Sequence, residues 1–138
     1  MGTIVNNFFN ALAKRNLDDI LPLFADNIDW YIPGNETLAP WLGRRSTKAD
    51  VAQFYTMLWQ HTTPISGEIF HLITQGNVTL TSGRFKVKML QTDQIYESLF
   101  FTEITVEDNL ITKYRLLEEG YGLVVALGST KEQSVSKI

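Results

Sequence analysis

Trp30-Tyr31-Ile32-Pro33-Gly34, then Trp41 and Gly43, then the run from Thr47 to His61, form the stretch from which the rest of the chain can be read. β-Branched and aromatic residues ending at Pro-Gly describe a strand that stops there, and the Pro-flanked segment carrying Trp41 describes a loop. In the run that follows, Val51, Phe54, Tyr55, Leu58 and Trp59 recur at the spacing of one helical face. Thr47 with Asp50 three residues on has the form of a capping box.

Upstream, Ile4, Phe8, Ala11, Leu12 and Arg15 predict a first helix over residues 3–15. Asn16-Leu17-Asp18-Asp19 punctuates it, and a second helix runs to Ala25, with Pro22 tolerated near its first turn. Asp26-Asn27 then leads into a strand from Ile28 to Ile32. Downstream of the third helix, Pro64 and Gly67 end the helical pattern. Strands are predicted over 67–75, 78–91, 95–106 and 110–118, separated by Gly76-Asn77, Thr92-Asp93 and Glu107-Asp108-Asn109. Tyr121 to Leu127 suits a short apolar helix. The expected organisation is one domain over 1–128 and a polar, flexible tail over 129–138.

Composition narrows the function classes. A chain of 138 residues is the size of one domain, and 44% hydrophobic residues is an ordinary globular share. No apolar run approaches the ~20 residues of a membrane span. The first residues lack the basic-then-apolar order of a signal peptide, so a cytoplasmic protein without a membrane partner is expected. The sequons at Asn35 and Asn77 therefore carry no weight. With no cysteine there is no disulfide, thiolate nucleophile or cysteine–zinc site, and two histidines argue against a histidine-rich metal centre. No cofactor is expected. A net charge of −3 with dispersed basic residues argues against nucleic acid as a partner.

Strand parity says which side chains face inward. If Thr92-Asp93 is a two-residue turn, Lys88 faces Glu97, Phe85 faces Phe100 and Met89 faces Tyr96. If Glu107-Asp108-Asn109 is a three-residue loop, Glu103 meets Lys113 outside, while Ser98 meets Glu118, Phe100 meets Leu116 and Thr102 meets Tyr114 inside. A two-residue loop would turn all of 110–118 over. The three-residue loop is preferred because it also pairs opposite charges. The inner face then carries Phe85, Val87, Met89, Tyr96, Ser98, Phe100, Thr102, Tyr114, Leu116 and Glu118.

Glu118 is the chemically informative member. An apolar surrounding disfavours its ionised form and moves its pKa toward neutrality, where it can trade protons. At the cavity mouth it would instead sit in water or satisfy a backbone group, and the sequence leaves both readings open. Tyr96 and Tyr114 are either core residues with satisfied hydroxyls or proton donors. His71 alternates with Ile69 and Ile73, but both faces of its strand are apolar, so parity does not place it. It is either structural or a candidate acid–base group. Trp41, in its Pro-flanked loop, is expected to close the cavity. His61 is expected to do no more than meet the C-terminal dipole of its helix, and Arg44-Arg45 to be a solvated pair.

The order Trp30-Tyr31-Ile32-Pro33-Gly34, Leu38-Ala39-Pro40 and Gly43 resembles the opening of SnoaL-like proteins, a branch of the nuclear-transport-factor-like superfamily. Phe24-Ala25-Asp26-Asn27 and Asp108-Asn109-Leu110-Ile111 extend the likeness over residues 4–127. The resemblance implies an α+β fold, a cone-shaped curved antiparallel sheet wrapped around N-terminal helices with a central apolar pocket. It also implies an apolar cyclic or polyketide-like ligand, handled by cofactor-free lyase, isomerase or cyclase chemistry or bound without catalysis. The residues that ketosteroid isomerases use correspond to Phe8, Ile32 and Phe100, all apolar here. Where limonene-type epoxide hydrolases carry an aspartate after an arginine, Arg115 is followed by Leu116. The expected acid–base set is therefore Glu118 with Tyr96, Tyr114 or His71. The expected ligand contacts are Phe8, Trp30, Ile32, Trp41, Phe54, Trp59, Phe85, Val87, Met89, Ser98, Phe100, Thr102 and Leu116. Leu99, Phe101 and Leu117 gather on the opposite face and predict a homodimer through it.

Overall fold

The computed structural model describes residues 2–128, and the expected tail over 129–138 lies outside them. Helix α1 (Gly2–Ala13) is followed by a short α2 (Leu17–Ile20) that runs into a 3-10 turn (Leu21–Leu23). Strands β1 (Phe24–Ile32) and β2 (Gly43–Thr47) precede α3 (Lys48–His61). Then come β3 (Thr62–Gln75), β4 (Val78–Met89), β5 (Gln94–Glu107), β6 (Leu110–Glu118) and α4 (Gly120–Ala126). The strands form one curved, unclosed sheet in the order β2-β1-β6-β5-β4-β3, antiparallel except where β1 lies parallel to β6. The α+β cone expected from the sequence is the fold observed.

Local chemistry explains the main elements. Thr47 caps α3 as expected: its hydroxyl accepts from the Asp50 N–H while the Asp50 carboxylate accepts from the Thr47 N–H. Asn16 caps α2 in the same way, accepting from Asp19 N–H. The turn between β5 and β6 is Asp108-Asn109, with φ of 51° and 62°, the left-handed pair that a two-residue hairpin needs.

Three expectations about the elements are corrected. The second helix ends at Ile20 rather than Ala25, and β1 starts at Phe24 rather than Ile28. β2 was read as loop, because Arg44-Arg45-Ser46 shows no apolar alternation. It is a strand because β1 offers it a ladder, Trp30 opposite Arg45 and Ile32 opposite Gly43. β3 starts at Thr62, directly after α3, and runs through Pro64 and Gly67. Pro64 is tolerated because β3 is an edge strand and the ladder is irregular between Pro64 and Ser66.

The hairpin registers also differ, without changing the faces. Four residues, Leu90 to Asp93, cap the β4–β5 hairpin, so Phe85 lies opposite Ser98 and Val87 opposite Tyr96. In the β5–β6 pair the loop has two residues, not three. An irregularity between Thr105 and Val106 adds one residue to β6 and restores parity. Phe100 therefore lies opposite Glu118, Thr102 opposite Leu116 and Ile104 opposite Tyr114. Each slip is by two residues, and side chains alternate with a period of two, so every residue stays on its expected face. Glu103 and Lys113 still meet outside, 3.2 Å apart, as diagonal neighbours.

The inner face packs against α1 and α3 through an aromatic cluster. Trp30 stacks on Tyr114 with ring centres 4.3 Å apart and meets the edges of Phe54 and Tyr55. Phe8 of α1 closes on Phe24 and Tyr114. Each such pair adds about 0.5–1.5 kcal/mol beyond its buried area. Gly83 makes room for the inner layer: a Cβ there would lie 2.6 Å from the Phe100 ring and collide with the Glu68 carbonyl.

Candidate functional site

Between the aromatic cluster and the sheet lies a cavity of about 720 Å³. Its floor is the inner face of β4, β5 and β6, its roof is α1 and α3, and Leu123 of α4 closes one side. Ile65 and Ile69 on β3, 49% and 42% exposed, mark the side open to solvent beside Asn10 and Ala13 of α1. A volume of this order suits a ligand of several rings.

Most of the expected contacts border this space: Ile32, Trp41, Phe54, Trp59, Phe85, Val87, Met89, Phe100, Thr102 and Leu116. Three do not. Phe8 and Trp30 are sealed in the aromatic cluster, 0% and 1% exposed, because the ring of Tyr114 lies against both. Ser98 is consumed locally, donating to the Leu99 carbonyl at 2.6 Å and accepting from the Glu119 N–H at 2.8 Å.

Of the expected acid–base residues, Glu118, Tyr114 and Tyr96 border the cavity and His71 does not. The ladder of β3 is irregular between Ile69 and His71, so Ile69 faces Gly83 on the inner side while His71 faces Ser82 on the outer side and is exposed. The extra residue is Phe70 of β3 itself, between the paired Ile69 and His71, and it removes His71 from the site. The Tyr96 hydroxyl donates to the Glu119 carbonyl at 2.8 Å, which ties β5 to the start of α4.

Glu118 has no hydrogen bond or ion pair among the described residues. Burial pushes its carboxyl up to about 7, so it gains and loses a proton around neutral pH. Glu119, one residue later, is spent as the N-cap of α4, accepting from the N–H groups of Tyr121 and Gly122. The hydroxyls of Tyr114 and Tyr96 are pushed up by burial first and by the charge of Glu118 second. Tyr55 is pushed up by burial and then by Tyr114, and its hydroxyl is buried without a partner, as is that of Thr102. An orphaned hydroxyl costs about 1–3 kcal/mol, which marks this end of the cavity as polar and unsatisfied.

Tyr55 and Arg15 are site residues that the sequence reading passed over. Tyr55 sits on the buried face of α3, four residues after Val51, and a buried tyrosine on such a face must place its hydroxyl somewhere. Arg15 gives no comparable signal. Its backbone is left-handed, with φ of 51°, and its guanidinium donates to the carbonyl and hydroxyl of Thr62 at 2.8 and 3.0 Å, joining the end of α1 to the start of β3. Trp41 is buried, borders the cavity as expected and packs on His61, which also bonds the Met57 carbonyl. Arg45 is not solvated as expected: it donates to the Asp50 carbonyl at 2.8 Å and burial lowers its pKa. Among the described residues no cluster of His, Asp and Glu could hold a metal ion, and no helix is long and apolar enough to cross a membrane.

A family model described as a SnoaL-like domain matches residues 5–114. Among solved structures, an NTF2-like protein from Burkholderia xenovorans is 24% identical, covering 91% of this chain and 94% of its own, with a TM-score of 0.81. A protein from Rhodopseudomonas palustris, provisionally described as an isomerase, is 18% identical over 89% and 94% of the two chains, with a TM-score of 0.82. One from Mesorhizobium loti, provisionally described as a SnoaL-like polyketide cyclase, is 16% identical over 83% and 96%, with a TM-score of 0.70. No curated protein matches the sequence.

Proposed function

The chain belongs to the SnoaL-like domain family, and from that premise we propose that its cavity takes an apolar, ring-containing small molecule and exchanges a proton with it through Glu118. One observation carries this reading: of the two carboxyls bordering an aromatic cavity of about 720 Å³, Glu68 pairs with Arg84, while Glu118 has no partner among the described residues and is pushed up to about 7 by burial. A group poised near the working pH serves equally as acid and base. The acidity of Tyr114, like that of Tyr96, responds to Glu118, and its hydroxyl forms no hydrogen bond among the described residues, so it is the natural helper. Tyr96 holds the frame through Glu119 instead. The cyclase and isomerase descriptions of the structural neighbours support chemistry of this class.

A second reading is a binding protein without turnover. It is favoured by the apolar character of Phe8, Ile32 and Phe100, where the resemblance to isomerases would require acids. The two readings separate experimentally. Ligand carried through purification is identified by mass spectrometry, and turnover and binding are measured for the wild type and for Glu118→Gln. Acid–base catalysis predicts that turnover by the variant at saturating ligand falls at least ~100-fold, whatever its loss of affinity. A variant with full activity rejects the role of Glu118. Binding with no turnover in the wild type supports the second reading.

A further inference from the structure

We propose that the cavity selects a ligand carrying a basic nitrogen, held as an ammonium group against Glu118 while aromatic rings enclose its apolar body. The inference rests on the reading of the cavity as a small-molecule site and narrows the ligand that the site takes.

The argument is a balance of charges and donors. Glu118 is the one charged side chain on the sheet floor of the cavity, and no N–H or O–H of the described residues bonds it. Its other neighbours leave the charge unmatched. Tyr96 on β5 already donates its hydroxyl hydrogen bond to the Glu119 carbonyl, and Tyr114 on β6 and Tyr55 on α3 are neutral groups that burial holds protonated. Glu119, at the start of α4, is turned onto two backbone N–H groups. At the open side, Glu68 on β3 faces Arg84, 3.4 Å away, and Arg15 is tied to Thr62. Arg15 borders the same cavity and keeps its charge, but its guanidinium is turned onto Thr62, and among the described residues no cation pairs with Glu118, so a ligand can supply one.

The walls agree with that charge. Phe54, Trp59, Phe85 and Phe100 border the cavity; Arg45 and Arg15 already lie over the Phe54 and Trp59 rings, 5.7 and 5.8 Å from their centres, which leaves the ring faces of Phe85 and Phe100 to attract a cation and oppose an anion. A ligand that develops negative charge would meet those faces and a carboxylate with no fixed positive group beside it. An ammonium instead brings three donors, for the two carboxylate oxygens and for the free hydroxyl of Tyr114. The proton balance is simple. Below about 7 the carboxyl is neutral, so capture of an ammonium releases one proton to solvent; above it the carboxylate is already formed and none is released.

The test uses 9-(aminomethyl)anthracene and its neutral isostere 9-anthracenemethanol, with the whole protein, by titration calorimetry and ligand fluorescence. The amine is expected to bind ~10-fold or more tightly than the alcohol at pH 8. Its affinity should rise ~100-fold from pH 5 to pH 8 as one proton is released below the carboxyl's pKa. Glu118→Gln should remove the preference and the pH dependence while alcohol binding persists. The wild-type pH profile carries the test if that variant fails to fold. Alcohol binding that equals or exceeds amine binding, or amine affinity that is flat or falls with pH, overturns the inference and leaves the small-molecule reading intact. If neither probe binds, both fail.

Discussion

Glu118 and Glu119 stand side by side on the chain and meet opposite surroundings: one faces an apolar cavity with no partner, the other caps a helix. The difference has a consequence for stability. The folded-state pKa of Glu118 lies at about 7, above the ordinary carboxylate value, so the folded protein holds an extra proton between the two. The stability linked to that proton is complete below the ordinary value and is lost as pH rises through about 7. Glutamine cannot ionise and escapes the loss. Glu118→Gln should therefore be more stable than wild type by about 1–3 kcal/mol at pH 8 and indistinguishable from it at pH 4. Urea unfolding at both values measures this, and equal midpoints at pH 8 would show that the carboxylate is well solvated. The sequence turned Glu118 inward through a three-residue loop; the loop has two residues, and the Thr105–Val106 irregularity restores the same parity. The face of His71 was not legible, since it depends on an irregularity in its own strand that only pairing with β4 creates.

At the scale of elements, α3 depends most directly on local chemistry. Its capping box was readable from Thr47 and Asp50, and the structure has both reciprocal bonds. Thr47→Ala removes one of them and should cost about 1 kcal/mol, seen as a lower unfolding midpoint with an unchanged denaturant slope. A larger loss would mean that β2, which ends at Thr47, frays with the cap. β2 itself was invisible to periodicity, because an edge strand of arginines and serine owes its shape to hydrogen bonds with β1. The hairpins teach the complementary lesson. Both loops were misjudged in length, yet both errors were even in register, and the Thr105–Val106 irregularity kept β6 in phase.

At the scale of the molecule, no described residue covers the outer face of the sheet. Leu99, Phe101 and Leu117 are 55%, 55% and 56% exposed, and Leu80 and Ile73 extend the patch. α4 cannot cover it, since Leu123 packs on the cavity side and the α4 carbonyl of Ala126 is bonded by Thr92. We propose that a second copy of the chain covers this face, with Arg84, Lys113, Glu97 and Glu103 at its rim. Light scattering should give a dimer at micromolar concentration, and Phe101→Lys should give a folded monomer. A wild-type monomer, or a dimer that tolerates the lysine, places the interface elsewhere. By itself the sequence determined the types of most elements, their order and which residues of β4 and β5 face inward, because helical and strand periodicities are local and survive an even slip; the phase of β6 was settled by the Thr105–Val106 irregularity. Only the tertiary structure decided that Trp30 and Phe8 are sealed away, that Tyr96 is already engaged and Glu118 is free, and that a cavity remains between them. Each of those outcomes depends on which distant atoms come into reach once the sheet curves, and no local pattern encodes that.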